Sequence, residues 1–129
     1  MIIDSSAFLA MILDEPEKAE FQKKILTATE PLMSVANYLE ICLKLERCTN
    51  ESGQYDFDEY FSKTGIELVP ISIEQTQLAR RANKIYGRGS GHKAKLNFGD
   101  CFAYALAKDK ELPLLFKGED FIYTDLKRA

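Results

Sequence analysis

Residues 96–116, LNFGDCFAYALAKDKELPLLF, predict one helix followed by one buried strand. Asn97 can cap an apolar helical stretch that runs from Phe98 to about Lys108. Leu112–Phe116 is a short apolar run, and the charged segment 117–120 ends it. A helix that leads into a buried strand is typical of α/β proteins with a parallel sheet.

The rest of the chain repeats this alternation in both directions. The other predicted strands are Met1–Asp4, Pro31–Ser34 and Ile66–Ile71. The other predicted helices are Ala7–Leu13, Asp14–Thr27 with Pro16 in its first turn, Val35–Arg47, Tyr55–Lys63 and Ile73–Tyr86, and residues 50–53 are predicted to form a turn. The pattern predicts an α/β sandwich around a mainly parallel sheet, with residues 1–129 as a single domain.

The composition excludes several classes of protein. Of 129 residues, 46% are hydrophobic and 29% are charged, which is typical of globular rather than disordered chains. No apolar run approaches the ~20 residues of a membrane span, and Asp4 stands where a secretory signal has its basic start, so a cytoplasmic location without membrane contact is expected. Cys42, Cys48 and Cys101 show no C-x-x-C spacing, and the single His92 cannot build a multi-histidine metal site.

The charge is unevenly distributed along the chain. The net charge is −3, but residues 75–99 contain no Asp or Glu. That stretch contributes +6 through Arg80, Arg81, Lys84, Arg88, Lys93 and Lys95, and the remaining chain contributes −9 from 11 basic and 20 acidic residues. A basic band on an acidic body suits a polyanion held against carboxylates that need a metal, and a solvated helix face followed by a charged loop would explain the same charges.

Five acidic residues are predicted to meet at one edge of the sheet. Asp4 follows the first strand, and Glu119 and Asp120 follow the last; Asp100 lies in the first turn of its helix and Glu40 lies two turns into another. Ligands of open parallel sheets bind outside the carboxyl ends of the strands. Clustered carboxylates repel unless a cation or protonation compensates, and Mg²⁺ prefers oxygen ligands. A metal-activated water could then attack a phosphodiester.

Each acid also has a purely structural interpretation. Asp4 could cap the first helix, and Asp100 is favoured at a helix start by the helix dipole alone. Glu40 and Lys44 are spaced as an ordinary surface pair, within the polar face formed with Asn37 and Arg47. The spacing of the acids alone leaves both interpretations open.

The polar neighbours of the acids have a similar ambiguity. Ser6, Ser34 and Asn97 could orient the carboxylates or waters, or could simply cap helices. The aromatic residues of the last long helix are interpreted as core or interface rather than as surfaces that stack on bases: Phe98, Phe102 and Tyr104.

Four pieces of the chain, in order, form one recognisable set: IIDSSA at 2–7, SVANYLE at 34–40, LNFGDCFAYA at 96–105 and LLFKGEDF at 114–121, with Thr124-Asp125 after the last. Together they resemble PIN-domain ribonucleases of the VapC toxin type. The last two pieces together are the specific part of the resemblance. It implies a three-layer α/β/α sandwich with a mainly parallel central sheet.

The resemblance also implies the roles of the acids. Asp4, Glu40 and Asp100 match the family's metal-site residues, and Asp120 is favoured over Glu119 as the fourth. Asp4, Asp100 and the Glu119–Asp120 pair would hold the metal, and Glu40 would complete the site directly or through water. Where the family begins Asp-Thr-Ser, this chain has Asp-Ser-Ser, which is expected to be a mild change because the Ser6 hydroxyl remains.

The activity implied is that of an endoribonuclease dependent on Mg²⁺ or Mn²⁺, with tRNA as the expected target. The family forms homodimers, and a cognate VapB-like antitoxin inhibits its members. The charge distribution makes the basic stretch a candidate RNA contact: Arg80, Arg81, Lys84, Arg88, His92, Lys93 and Lys95.

Two other functions fit parts of the sequence. A related nuclease without an antitoxin, acting on rRNA or mRNA, would need the same acids. A non-catalytic α/β module that binds a partner protein would use the apolar segments Phe8–Leu13 and Phe57–Phe61 as its interface, with the acids as ordinary caps. Metal-dependent activity separates the enzyme from the binding module.

Overall fold

The computed structural model describes residues 1–47 and 51–129, with residues 51–55 described by their backbone alone. Within these ranges four strands alternate with six α-helices. The strands are β1 (Ile2–Ile3), β2 (Leu32–Ser34), β3 (Glu67–Val69) and β4 (Leu114–Leu115). The helices are α1 (Ser5–Ile12), α2 (Lys18–Thr27), α3 (Val35–Glu46), α4 (Glu51–Lys63), α5 (Ile73–Tyr86) and α6 (Phe98–Lys110), and a 3₁₀ turn covers Asp120–Tyr123.

The strands form one parallel sheet in the order β3-β2-β1-β4. Ile2 of β1 is in register with Leu32 on one side and Leu114 on the other. The chain therefore builds outward from β1 to β3 and then returns to the opposite side of β1. This reversal places a crevice between the carboxyl ends of β1 and β4, where open α/β sheets bind their ligands.

Helices cover both faces of the sheet, which confirms the three-layer α/β/α sandwich. Successive strand residues point to opposite faces. Ile2 and Leu114 belong to the apolar cluster beneath α5 and α6. Ile3 and Leu115 belong to the second cluster, which packs under α1, α2, α3 and α4. Both residues of β1 are fully buried.

Several element limits differ from the sequence prediction. Pro16 precedes α2, which begins at Lys18, because the chain turns through Asp14 with a positive φ of 56°. The predicted turn at 50–53 is wrong for residues 51–53, where α4 already begins, and Asn50 lies outside the described residues. Helix α1 begins at Ser5 rather than at residue 7, because Asp4 caps it.

An aromatic cluster joins α1, α3 and α4 inside the second apolar layer. The ring of Phe8 packs against Phe57 and Phe61 with centroid distances of 6.1 and 5.3 Å, and Tyr38 packs against Phe61 at 4.9 Å. Phe8 is fully buried and Phe57 nearly so. Phe8 and Phe57 are therefore core residues and cannot serve as the interface of a binding module, whereas Leu13 of the first segment is 55% exposed.

The C-terminal segment is fastened to the same body. Asp125 accepts hydrogen bonds from the Tyr104 hydroxyl at 2.7 Å and from Lys108 Nζ at 2.9 Å, both on α6. Leu114 of β4 is bridged to Arg128. Thr124-Asp125, which follows LLFKGEDF, thus packs the chain end against α6.

Two further features concern the cysteines and the helices. Cys101 is buried and Cys42 half-buried, and both are free thiols, while Cys48 lies outside the described residues. Among the helices of residues 1–47 and 51–129, none combines the length and apolar character that a bilayer crossing requires.

Candidate active site

Asp4 lies at the carboxyl end of β1 and caps α1. Its Oδ2 accepts hydrogen bonds from the backbone N–H of Ser6 at 2.9 Å and from the Ser6 hydroxyl. Its Oδ1 is buried and has no hydrogen-bond partner among the described residues. Burial raises the pKa of Asp4, and the bonds from Ser6 oppose that rise. An ionised carboxylate with one buried orphan oxygen is costly unless a cation approaches it.

Ser6 joins Asp4 to the end of β4. Its hydroxyl oxygen accepts a 3.0 Å hydrogen bond from the backbone N–H of Lys117 while the hydroxyl donates to Asp4. The Lys117 ammonium forms ion pairs with Glu15 and Glu17 beyond α1, at 2.5 and 3.2 Å. The hydrogen bond between Ser6 and Lys117 joins the ends of β1 and of the edge strand β4 at the crevice.

Asp100 occupies the third position of α6 and forms a reciprocal capping box with Asn97. The backbone N–H of Asn97 donates to Asp100 Oδ2 at 2.7 Å, and the backbone N–H of Asp100 donates to Asn97 Oδ1 at 2.9 Å. Burial, followed by the charges of Asp4, Asp120 and Glu40, raises the pKa of Asp100 to about 7. Asn97 therefore caps α6 and also holds the Asp100 carboxylate in place. The sequence had left open which of these two roles it has.

Glu40 connects three helices. Its Oε2 accepts a 2.7 Å hydrogen bond from the Ser5 hydroxyl, and its Oε1 pairs with Lys44 at 3.1 Å within α3. Its carboxylate also lies against Gly99 at the start of α6. The surface pair with Lys44 is thus present, but the same carboxylate faces α1 and α6, and its charge contributes to the high pKa of Asp100.

Asp120 and Glu119 are both exposed at the 3₁₀ turn after β4, and they differ in one respect. The charge of Asp120 contributes to the raised pKa of Asp100, whereas the charge of Glu119 does not. This difference favours Asp120 as the fourth acid of the cluster.

Two residues beside the acids were not predicted as site residues. Asn37 is fully buried, its amide nitrogen donates to the Gly99 carbonyl at 3.1 Å, and its Oδ1 has no partner among the described residues. The ordinary polar helix face, one of the two interpretations that the spacing left open, is wrong for Asn37 because its side chain is fully buried. Ser5 supplies the hydroxyl at Glu40, whereas Ser34 caps α3, where its hydroxyl oxygen accepts from the Ala36 N–H at 3.3 Å.

The basic stretch spans α5 and the loop that leads into α6. Its lysines and arginines are exposed, and none forms an ion pair with the described residues. The guanidinium of Arg88 donates to the Lys95 carbonyl at 3.3 Å. His92 is half-buried against the Tyr86 ring, and its Nδ1 accepts from the Ala94 N–H at 3.1 Å. Positive φ at Gly89 and Gly91 allows this loop to turn twice.

The donor set fits a hard divalent cation. The groups are carboxylate oxygens, one of them a buried orphan, and no nitrogen or sulfur ligand is among them. Within the described residues no group of three or more acidic, histidine or cysteine side chains is arranged so that it could hold a metal ion by itself. Mg²⁺ keeps several of its waters and needs only one or two direct carboxylates, so an open cluster of this kind suits it.

Comparison with known proteins identifies the family. The defining sequence pattern of the PIN domain matches residues 1–127. The chain belongs to the PIN-domain family. Ribonuclease VapC30 of Mycobacterium tuberculosis is 44% identical over 126 residues, which cover 98% of this chain and 95% of that protein. Ribonuclease VapC28 of the same organism is 40% identical over 129 residues, covering 100% and 97%. The expected resemblance to VapC-type PIN ribonucleases is confirmed.

Solved structures agree with the fold of this PIN domain. The crystal structure of Mycobacterium tuberculosis VapC20, described as a toxin that cleaves the sarcin–ricin loop, superposes with a TM-score of 0.74 and 12% identity, covering 99% of this chain and 97% of that one. A chain of a toxin–antitoxin complex from Klebsiella pneumoniae superposes with a TM-score of 0.69 and 13% identity, covering 93% and 88%. Identities this low establish the shared architecture alone.

Proposed function

We propose that this PIN domain is an endoribonuclease toxin that requires Mg²⁺ or Mn²⁺ and hydrolyses a phosphodiester bond of RNA, with tRNA as its substrate. The observation that carries the proposal is the buried Oδ1 of Asp4, without a partner in the described residues, next to an Asp100 whose pKa is raised to about 7. Membership of the VapC ribonucleases at 40–44% identity supports the same activity.

The acidic residues would have different roles at the bound cation. Asp4, Asp100 and Asp120 would hold the cation through oxygen, and Glu40 would complete the site directly or through water. When bound, the cation lowers the pKa of a water and offsets the charge that develops on the phosphate. Ser5 and Lys44 occupy both oxygens of Glu40, so this carboxylate is held in place while it contributes negative charge.

The positioning groups act through hydrogen bonds that are already formed. Ser6 orients Asp4, and Asn97 orients Asp100. Asn37 holds the Gly99 carbonyl, which fixes the first turn of α6 relative to α3. Groups held in this way need little reorganisation when charge develops on the substrate.

Partners of the proposed enzyme follow from its relatives. We propose a homodimer and a cognate VapB-like antitoxin that inhibits it. The Klebsiella pneumoniae chain with the same fold comes from a toxin–antitoxin complex, which supports this expectation. The antitoxin is supported if the purified product of an adjacent small reading frame abolishes RNA cleavage. The homodimer is supported if the protein sediments as a dimer. An RNA nuclease without an antitoxin would cleave regardless of that addition.

The decisive experiment is cleavage of total RNA by purified, partner-free protein with Mg²⁺, with Mn²⁺ and with EDTA. Asp100→Asn removes a site charge with little change in volume, and Glu111→Gln makes the same chemical change at the exposed far end of α6. Discrete products with metal, from the wild type and Glu111→Gln only, are expected. Products of tRNA size identify tRNA as the substrate, and rRNA fragments would replace that assignment. Cleavage by Asp100→Asn at normal Mg²⁺ would contradict the proposed site.

A further inference from the structure

A cavity of about 400 Å³ opens between α5 and α6. Thr76, Arg80 and Asn83 line it from α5, at the i, i+4, i+7 spacing of one helix face. Phe98 and Phe102 line it from the first turns of α6. The volume lies within the ~300–1,000 Å³ of small-molecule pockets.

Phe98 is the most exposed large apolar side chain at this cavity. It is 82% exposed, and its ring is held edge-on against Phe102 at a centroid distance of 4.9 Å. Of the two roles predicted for Phe98, core or interface, the core role is therefore wrong. A large aromatic ring that is anchored along one side and open elsewhere offers a surface on which another planar group can stack.

Polar groups suited to a planar ligand face the same cavity. Arg80 and Asn83 line it, and neither side chain forms a hydrogen bond or ion pair in the part of the chain that the structure describes. A guanidinium stacks on planar rings and donates from five N–H groups, and a side-chain amide both donates and accepts. Residues 75–99, which include the α5 wall of the cavity, contain no acid, so this wall favours a polyanionic ligand over an acid-rich protein surface.

The cavity and the acid cluster share the first turn of α6. Phe98 and Asp100 are two residues apart, so their side chains leave the helix on nearly opposite sides. A helix with its side chains is about 10 Å wide, which separates the cavity from the acids by roughly that distance. A strand whose phosphate lies at the acids would therefore place a neighbouring base, rather than the reacting nucleotide, at Phe98.

We propose that this cavity binds an unpaired nucleobase of the RNA substrate next to the scissile phosphate. Phe98 stacks on the base, and Arg80 and Asn83 contact its edge or its phosphate. Single-stranded RNA is commonly held by stacking on aromatic and guanidinium planes. The inference rests on the proposed ribonuclease function, and it makes the enzyme selective for unpaired RNA at the cleavage site.

The test measures binding rather than cleavage. Fluorescence anisotropy follows a labelled single-stranded RNA of mixed sequence, in EDTA so that the strand stays intact. Phe98→Ala is expected to weaken binding by about 5- to 150-fold, the range for removal of one stacking aromatic. Phe98→Tyr keeps the ring and should bind as the wild type does. Ile85→Ala removes another exposed apolar side chain of α5 outside the cavity lining and should also leave binding unchanged.

Other outcomes overturn the inference in distinguishable ways. If the wild type binds this RNA and Phe98→Ala binds it equally well, the base pocket is wrong and the ribonuclease proposal stands. If Phe98→Ala alters only the sedimentation of the protein, or only its binding to an antitoxin, the cavity is a protein interface. If the wild type binds neither this RNA nor tRNA, the proposed function fails together with the pocket. Circular dichroism confirms that each variant is folded.

Discussion

Gly99 lies so close to Glu40 that a Cβ built on it would approach Glu40 Oε2 to 2.6 Å. The same oxygen accepts the hydrogen bond from the Ser5 hydroxyl. The backbone of Gly99 does not have a positive φ, so its lack of a side chain is needed for space and not for conformation. Helices α1, α3 and α6 therefore meet at one carboxylate oxygen.

Gly99→Ala is expected to displace the Glu40 carboxylate without unfolding the protein. The atoms that must move are the end of a flexible side chain, and alanine is favourable in a helix. Misplacement of a site group by about 1 Å can reduce a rate by about 100-fold, so cleavage should fall by roughly 10- to 100-fold. Cleavage kinetics and urea unfolding of the same preparation measure the two effects. Wild-type cleavage by Gly99→Ala would remove Glu40 from the site.

Ser5→Ala should lower activity less severely than loss of an acid. It removes the hydrogen bond to Glu40 Oε2 from a buried position, and a hydrogen bond to a charged group is worth about 1.5–3 kcal/mol. Ser5→Thr keeps the hydroxyl and restores the Asp-Thr-Ser start of the family, so it should behave as the wild type. Comparison of kcat for the two variants tests this role. Equal activity of all three proteins would show that the Ser5 bond is dispensable.

The sequence predicted the parts of the site that depend on local position. Asp4 follows a buried strand, and Asp100 lies three residues after the capping Asn97. Their places at one edge of the sheet follow from the alternation of strands and helices, because parallel strands bring their carboxyl ends together. Glu40 was grouped with these acids from its place two turns into the helix after the second strand, and the resemblance supplied its role in the metal site.

The remaining contacts depend on how distant helices pack. Asn37 is buried because α3 packs against the start of α6. The spacing of residues within α3 cannot predict which distant helix packs there. The Glu40–Lys44 pair would look the same on any surface helix. Phe98 belongs to an apolar helix, but only the packing of α6 against α5 decides that its ring is left exposed.

The metal-free protein should be less stable at about pH 8 than at about pH 5. Burial and the neighbouring acids raise the pKa of Asp100 from 3.8 to about 7, and burial raises that of Asp4. The folded state therefore holds protons that the unfolded state has already lost, and stability falls as pH rises through this window. The loss of unfolding free energy that Asp100 can cause is at most about 4 kcal/mol, since a shift of one pKa unit corresponds to about 1.4 kcal/mol.

Urea unfolding in EDTA at both pH values measures this dependence. Asp100→Asn cannot ionise at this position and should show a flatter profile, whereas Glu111→Gln should keep the wild-type slope. Mg²⁺ should stabilise the wild type more at the higher pH, where the carboxylates are ionised. Equal stability of the metal-free wild type at both pH values would mean that the acids are not coupled as described.

Glu111→Gly is expected to stabilise the fold without affecting the site. Glu111 ends α6 with φ 54° and ψ 33°, a left-handed conformation that costs a residue with a side chain roughly 1 kcal/mol relative to glycine. Its side chain is exposed. A gain of about 0.5–1 kcal/mol in the free energy of unfolding is expected from urea titration. Lys110→Gly, one residue earlier in helical conformation, should destabilise by a similar amount, and a gain there would contradict the conformational explanation.

Asp120→Asn should reduce cleavage far more than Glu119→Gln. Both residues are exposed after β4, and each change removes one charge and little volume. Asp120 is the one whose charge reaches Asp100 and raises its pKa, so its loss removes negative potential from the place where the cation would bind. The Mg²⁺ concentration for half-maximal cleavage should rise for Asp120→Asn and stay unchanged for Glu119→Gln. The reverse order would assign the fourth acid to Glu119, and no effect of either would leave Asp4, Glu40 and Asp100 as the whole site.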